Sequence, residues 1–172
     1  MILTLRSCDV RPWRGGDVPS LVQHANNHRI WLNLRDRFPH PYTKRDGQAF
    51  IRLSRQGRPE THFAIAVDGA AVGGIGVMPQ QDVDRVSAEI GYWLGEPFWG
   101  RGIVTEALMA FTPHAIAAYG LTRIFALPFA NNVASCRVLE KAGYVLEARL
   151  QRSAIKNGQI VDVLQYAFIA RE

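Results

Sequence analysis

Apolar and polar positions follow two rhythms along this chain, one of three to four residues and one of two, and glycines mark where they change. Val104, Ala107, Leu108, Phe111 and Ala115 share one helical face, which predicts a helix opening beyond Gly102. Just before it, Ala88–Leu94 has the length and aromatic content of a strand and stops at Gly95-Glu96-Pro97. Pro113 lies inside the helical stretch. It lacks a backbone donor and crowds the preceding turn, so a kink or break is expected between Ala110 and Pro113.

The rest of the chain reads in the same way. Leu3–Trp13 forms a first strand with irregular ends, and Gly15-Gly16-Asp17 followed by Pro19 starts a helix. Leu21, Val22, Ala25, His28, Ile30 and Trp31 make an apolar face interrupted at Asn26-Asn27, so two short helices are expected in place of one long one. A further helix is predicted over Arg45–Gln56 with Phe50, Ile51 and Leu53 inward. His62–Val67 and Ala70–Met78 flank Asp68-Gly69, a hairpin signal. Glycines 73, 74 and 76 inside the second of these strands mark a bulge or a close neighbour, because Pro79 follows where a nucleotide-binding motif would need a helix. Leu121–Leu127 is a strand, and a helix led by Asn132 ends at Gly143. Tyr144–Ile155 and Ile160–Ile169 close the chain as a hairpin through Lys156-Asn157-Gly158-Gln159.

The junction between the aromatic strand and the long helix carries the candidate chemistry. Trp99-Gly100-Arg101-Gly102 leads into Ile103, Val104 and Thr105. The first N–H groups of a helix have no partner inside it and sit at the positive end of the peptide dipoles. Glycines let a phosphate approach that backbone, and Arg101 adds a full positive charge, so the stretch reads either as a diphosphate cradle or as a tight turn that binds nothing. It is not a P-loop, which ends in Gly-Lys followed by Ser or Thr. A dinucleotide fingerprint counted from Gly100 would need Gly or Ala where Thr105 stands.

Composition narrows the picture. A chain of 172 residues, 48% hydrophobic and 20% charged, fits one folded domain over its whole length. The apolar N-terminal run is too short for a signal peptide and no stretch reaches membrane-spanning length, so a cytoplasmic protein is expected. Cys8 and Cys136 form neither a zinc site nor a disulfide framework, and the five histidines lack ligand spacing, so no metal is expected. The net charge of +5, with arginines crowding the stretch from Arg6 to Arg58, suits a phosphate-rich ligand or acidic surface. No nucleic-acid motif accompanies it, and a solvated basic face without a nucleic-acid partner is the expectation.

The cradle resembles the coenzyme A loop of the Gcn5-related N-acetyltransferases (GNAT), whose Gln/Arg-x-x-Gly-x-Gly/Ala pattern is approximated by Trp99-Gly100-Arg101-Gly102-Ile103-Val104, with Trp99 and Val104 departing from it. The wider string of Tyr92-Trp93-Leu94, Phe98-Trp99-Gly100-Arg101-Gly102 and Thr105-Glu106-Ala107 is similar to the branch that acetylates ribosomal-protein N-termini. Asn132, Ser135, Gly143 and Tyr144 match a second landmark, and Arg37 to Thr43 a third. The resemblance covers nearly the whole chain. It implies an α/β fold with a mixed, mostly antiparallel, splayed sheet of about seven strands flanked by helices. The implied activity is transfer of an acetyl group from acetyl-CoA to a primary amine, either a protein N-terminus or a small molecule.

The same resemblance suggests roles for individual residues. Tyr92, Trp93, Leu94 and Asn132 would line the pantetheine arm, and residues Trp99 to Thr105 would hold the diphosphate. Attack requires a neutral amine, so a base is needed. Glu89 matches the position of the catalytic glutamate in histone-acetylating relatives, although an exposed or arginine-paired strand glutamate is the plain alternative. Some relatives place a tyrosine where Leu139 stands here, which leaves Ser135 as donor to the departing thiolate or else as a helix-capping residue. Phe38 and Tyr42 are candidate acceptor contacts, or packing aromatics on a proline-set turn. Asp162 is a candidate near the acceptor, or a satisfied hairpin carboxylate. A non-catalytic acyl-CoA sensor and a basic nucleic-acid module remain as rival classes, and the oligomeric state, a homodimer included, stays open.

Overall fold

A computed structural model describes residues 2–57 and 59–170. The elements in order are β1 (Leu3–Thr4), β2 (Asp9–Pro12), α1 (Val18–Ala25), α2 (His28–Trp31), α3 (Lys44–Ser54), β3 (His62–Val67), β4 (Ala70–Pro79), β5 (Ser87–Leu94), α4 (Ile103–Tyr119), β6 (Arg123–Ala126), α5 (Val133–Lys141), β7 (Val145–Lys156) and β8 (Gln159–Ile169). The strands are ordered β1-β2-β3-β4-β5-β6-β8-β7, eight where about seven were expected. The extra strand arises because Leu3–Trp13 is two short strands joined by a turn, in which Leu5 N–H donates to Cys8 O at 2.9 Å. β1–β2, β2–β3, β3–β4, β6–β8 and β7–β8 pair antiparallel, whereas β5 and β6 run parallel over Ser87–Glu89 against Arg123–Phe125. No helix among the described residues is long and apolar enough to cross a membrane.

Two compact units make up the chain. The first contains the residues up to Gly76 together with Tyr92–Ala107. Its core gathers Trp13, Leu21, Ala25, Tyr42, Ile51 and Ala64, with Phe38, Phe50 and Trp93 packed against them. Leu53, expected inward, is 64% exposed. It follows Ile51 by two positions, about 200° around the helix, so the two cannot share a face. The expected close neighbour of the β4 glycines is β5: a Cβ on Gly73 would lie 2.5 Å from Trp93 O, and one on Gly74 would lie 2.8 Å from Trp93 Nε1. A Cβ on Gly76 would instead meet Thr61 O at 2.6 Å.

The second unit contains Val77–Gly91 and the residues from Leu108 onward. Its β7–β8 hairpin turns through Asn157 (φ 49°) and Gly158 (φ 75°), the two left-handed positions of a type I′ turn. The helix led by Asn132 ends as expected, with Gly143 at φ 88°. Helix α4 runs from Ile103 to Tyr119 with Pro113 inside it, so of the kink or break expected between Ala110 and Pro113 no break occurs. Pro113 and Met109, the residue four positions earlier, both face solvent. Water can therefore take the Met109 carbonyl that Pro113 leaves without a donor.

One charged pair lies inside the first unit. Arg11 and Asp17 are 3% and 7% exposed, and both guanidinium nitrogens donate to the carboxylate at 2.8 Å. Arg11 also donates to Pro12 O and Gly69 O, and Arg14 N–H donates to Asp17 at 2.8 Å. Burial alone would raise the Asp17 carboxyl, but the Arg11 and Arg14 hydrogen bonds outweigh it and hold the group below its ordinary value. Asp17→Ala leaves a buried guanidinium without its counter-charge and should lower the unfolding free energy by about 3–5 kcal/mol. Because the native carboxyl is the more acidic one, the pair's contribution is complete above the ordinary Asp range and fades as pH falls through the native value. Urea melts of both proteins at neutral and acid pH should therefore converge on acidification.

Candidate functional site

The turn at the head of α4 has the geometry of an anion cradle. Gly100 and Gly102 take φ values of 74° and 76°, a region costly for other residues. A Cβ at either position would stand in open space, so no protein atom fills the volume over the turn. Residues Trp99 to Gly102 are exposed. The first helical hydrogen bond runs from Glu106 N to Gly102 O at 3.0 Å, so the N–H groups of Ile103, Val104 and Thr105 precede it and have no acceptor within the helix. Arg101 lies over the Phe98 ring, 5.3 Å from its centre, which keeps a cation beside the turn. The side chain of Ile103 is buried and Val104 and Thr105 are half-buried.

Contacts the sequence did not signal hold this turn in place. The carboxylate of Glu106, in the first turn of α4, accepts from Arg6 N at 3.0 Å, from Ser7 N at 3.1 Å and from the Ser7 hydroxyl. It bolts the head of the helix to the β1–β2 turn. At the other end of the loop, Asn27 donates to Glu96 Oε2 at 2.7 Å, and Arg29 pairs with Glu96 while its guanidinium lies 5.2 Å from the centre of the Trp99 ring. Trp99 Nε1 donates to Leu94 O at 2.7 Å. A Cβ on Gly95 would lie 2.8 Å from His24 Nδ1, so glycine is required where α1 meets the loop. Asn27 also caps α2 by accepting from Arg29 N and Ile30 N. The split at Asn26-Asn27 was legible in the sequence, whereas the cap on α2 and the partner Glu96 were not.

The expected pantetheine strand is only partly available. Leu94 is buried, its carbonyl is occupied by Trp99, and Gly95 N–H donates to Val72 O at 2.7 Å. Tyr92 and Trp93 are half-buried. The Trp93 ring meets Phe38 edge-on at 5.7 Å, and Phe38 lies 5.0 Å from Tyr42. Tyr42 is 4% exposed, and burial, with Asp46 adding to it, pushes its hydroxyl up to about 12. It packs in the core, as the plainer reading had it, and Phe38 is the more accessible of the two.

In the second unit, Glu89 is half-buried at the last rung of the parallel ladder, opposite Phe125. Asn132 caps α5, its Oδ1 accepting from Ser135 N at 3.2 Å. The capping atom thus belongs to Asn132, which commits its oxygen and leaves its side-chain NH2 as the donor. Asp162 is held by Arg149 Nε at 2.7 Å and by Arg152 N at 2.8 Å. Arg152 has φ 52° where the β7–β8 register shifts, so Asp162 braces a β-bulge. Those hydrogen bonds hold its carboxyl below the ordinary value. Cys136 is buried. Among the described residues, no group of three or more His, Cys, Asp or Glu side chains gathers as metal ligands would.

Residues 9–145 match the family model described as an acetyltransferase (GNAT) domain. The chain belongs to the GNAT acetyltransferase family. It is 28% identical over 157 residues to the ribosomal-protein-serine acetyltransferase of Escherichia coli, covering 88% of this chain and 87% of that protein. It is 31% identical over 105 residues to the putative ribosomal N-acetyltransferase YdaF of Bacillus subtilis, covering 61% of this chain but only 57% of that relative. Among solved structures, RimJ of Mycobacterium smegmatis in complex with CoA-disulfide superposes with a TM-score of 0.85 at 26% identity, covering 98% of this chain and 87% of that one. As a GNAT domain, the chain has its glycine turn at the head of the long helix, where the family's coenzyme loop is expected.

Removing the Glu106 carboxylate strands three donors at the base of this turn. Glu106→Ala should cost about 1–3 kcal/mol of unfolding free energy at neutral pH. The Ser7 hydrogen bond, opposed by burial and reinforced by the Arg6 and Ser7 N–H groups, holds the Glu106 carboxyl below its ordinary value. The contribution is therefore present above the ordinary Glu range and lost as pH falls through the native value. Chemical denaturation of wild type and variant should differ at pH 7 and agree in acid.

Proposed function

We propose that the protein is an acetyl-CoA-dependent N-acetyltransferase whose acceptor is a primary amine, with a protein N-terminal α-amine as the favoured class. The observation that carries this is the open glycine turn at the head of α4 in a chain of the GNAT family. Two left-handed glycines, uncommitted first-turn N–H groups and an adjacent guanidinium suit a diphosphate in charge and shape. The N-terminal α-amine rests on the relatives, two of which are described as acetyltransferases of ribosomal proteins, one of them putative.

In this reading Gly100 to Thr105 hold the coenzyme diphosphate, and Tyr92 and Trp93 offer main-chain groups to its arm. Asn132 contributes its NH2. Glu89 removes a proton from the ammonium form of the acceptor through a water. The amine nitrogen then bonds to the thioester carbonyl carbon, the carbon–sulfur bond breaks, the sulfur leaves with the electron pair and takes up the second proton that the nitrogen sheds on becoming an amide, and Ser135 donates a hydrogen bond to it. The developing oxygen charge needs a main-chain donor, and the Leu94 N–H is the candidate.

Glu89→Gln keeps the side chain's shape but cannot accept the proton. Turnover of an N-terminal peptide, followed by thiol release, should fall about 10²–10⁴-fold while the calorimetric Kd for acetyl-CoA stays unchanged. Parallel losses in both would remove Glu89 from the role of base. Gly102→Glu sets a side chain at φ 76° and a carboxylate at the cradle, and should abolish binding. Tight coenzyme binding without thiol release for any amine would instead identify an acyl-CoA sensor.

A further inference from the structure

Two guanidinium groups flank the glycine turn, and only one of them belongs to it. Arg101 rests on Phe98, whereas Arg29 reaches in from α2 and rests on Trp99, the residue immediately before Gly100. The Trp99 ring cannot swing away freely, because its Nε1 is tied to Leu94 O. Arg29 therefore has a defined station on the ring of the residue that leads into the turn. Its side chain is 67% exposed, and its ion-pair partner there is Glu96, whose other carboxylate oxygen is held by Asn27.

Resting on the coenzyme reading above, we propose that Arg29 is a coenzyme-binding residue that contacts the diphosphate, and that Glu96 holds its charge in place while the site is empty. An ion pair whose arginine is this exposed is weak in water. A diphosphate carries more charge than one carboxylate and presents oxygens that suit the guanidinium fork, so an arriving coenzyme outcompetes Glu96 for Arg29. Glu96 is not stranded by the exchange, since it keeps the Asn27 amide and faces solvent. The Trp99 ring already restricts the guanidinium, which reduces the side-chain freedom lost on binding.

A structural clamp and a coenzyme contact predict opposite behaviour for Glu96. Calorimetric titrations of acetyl-CoA into wild type, Arg29→Ala and Glu96→Gln separate them. Arg29→Ala should raise Kd about ten-fold, whereas Glu96→Gln, which releases Arg29, should leave Kd unchanged or lower it. Repeating the titrations with 3′-dephospho-CoA should preserve the Arg29 effect, because the diphosphate is still present. The assignment is overturned if Glu96→Gln weakens binding as Arg29→Ala does, if Arg29→Ala binds like wild type, or if the effect vanishes with the dephospho ligand. Failure of the wild type to bind either coenzyme would overturn the coenzyme reading itself, and this contact with it.

Discussion

The grip of the Glu106 carboxylate on the β1–β2 turn is the interaction on which the candidate site most depends. A helix N-terminus attracts anions only while its first N–H groups stay unfilled and keep a fixed direction. Glu106 sits close enough to that terminus that a wandering carboxylate would compete with any phosphate for the same donors. Two backbone N–H groups and the Ser7 hydroxyl hold it instead. One set of hydrogen bonds thus orients the helix and keeps its own negative charge occupied away from the turn.

The loop is fixed at its other end by different chemistry. There the anchors are Asn27 on Glu96, Arg29 on Trp99 and the Trp99 indole on Leu94 O. Asn27 serves two elements, because one end of its amide caps α2 while the other holds the loop. The β4 glycines belong to the same construction. They admit β5 so closely that the Trp93 carbonyl occupies the place of a side chain on Gly73. What resembled a nucleotide-binding glycine run is a packing device for the strand that leads to the cradle.

Four charged side chains of the second unit, Arg123, Glu147, Arg149 and Asp162, are committed to the sheet. Arg123 on β6 donates to both carboxylate oxygens of Glu147 on β7 across the intervening β8, and Gln165 on β8 adds a third donor at 3.2 Å. The Arg123 hydrogen bonds, opposed by some burial, pull the Glu147 carboxyl down to about 2. Asp162 is similarly engaged at the bulge. Glu89 lies where the parallel ladder with β6 ends.

The sequence by itself determined the elements, because local rules govern them. The Asp68-Gly69 and Asn157-Gly158 turns, the two short helices split at Asn26-Asn27, the Gly143 helix end and the glycine turn before α4 all follow from residue conformational preferences and apolar spacing. Two positions turned on solvent exposure or on the helix's own geometry. Pro113 does not break α4, since the carbonyl it orphans faces water, and Leu53 points outward because Ile51 and Gly47 take the buried side. Only the tertiary structure showed that Asp162 braces a bulge, that Tyr42 is core, that the Leu94 carbonyl is occupied, that Glu106 binds the β1–β2 turn and that Arg29 lies on Trp99. Glu106 lies 99 residues from Ser7 and Glu96 lies 67 from Arg29. Hydrogen bonds and ion pairs over such separations leave no periodic trace in a chain, because their geometry exists only after the sheet and helices have packed.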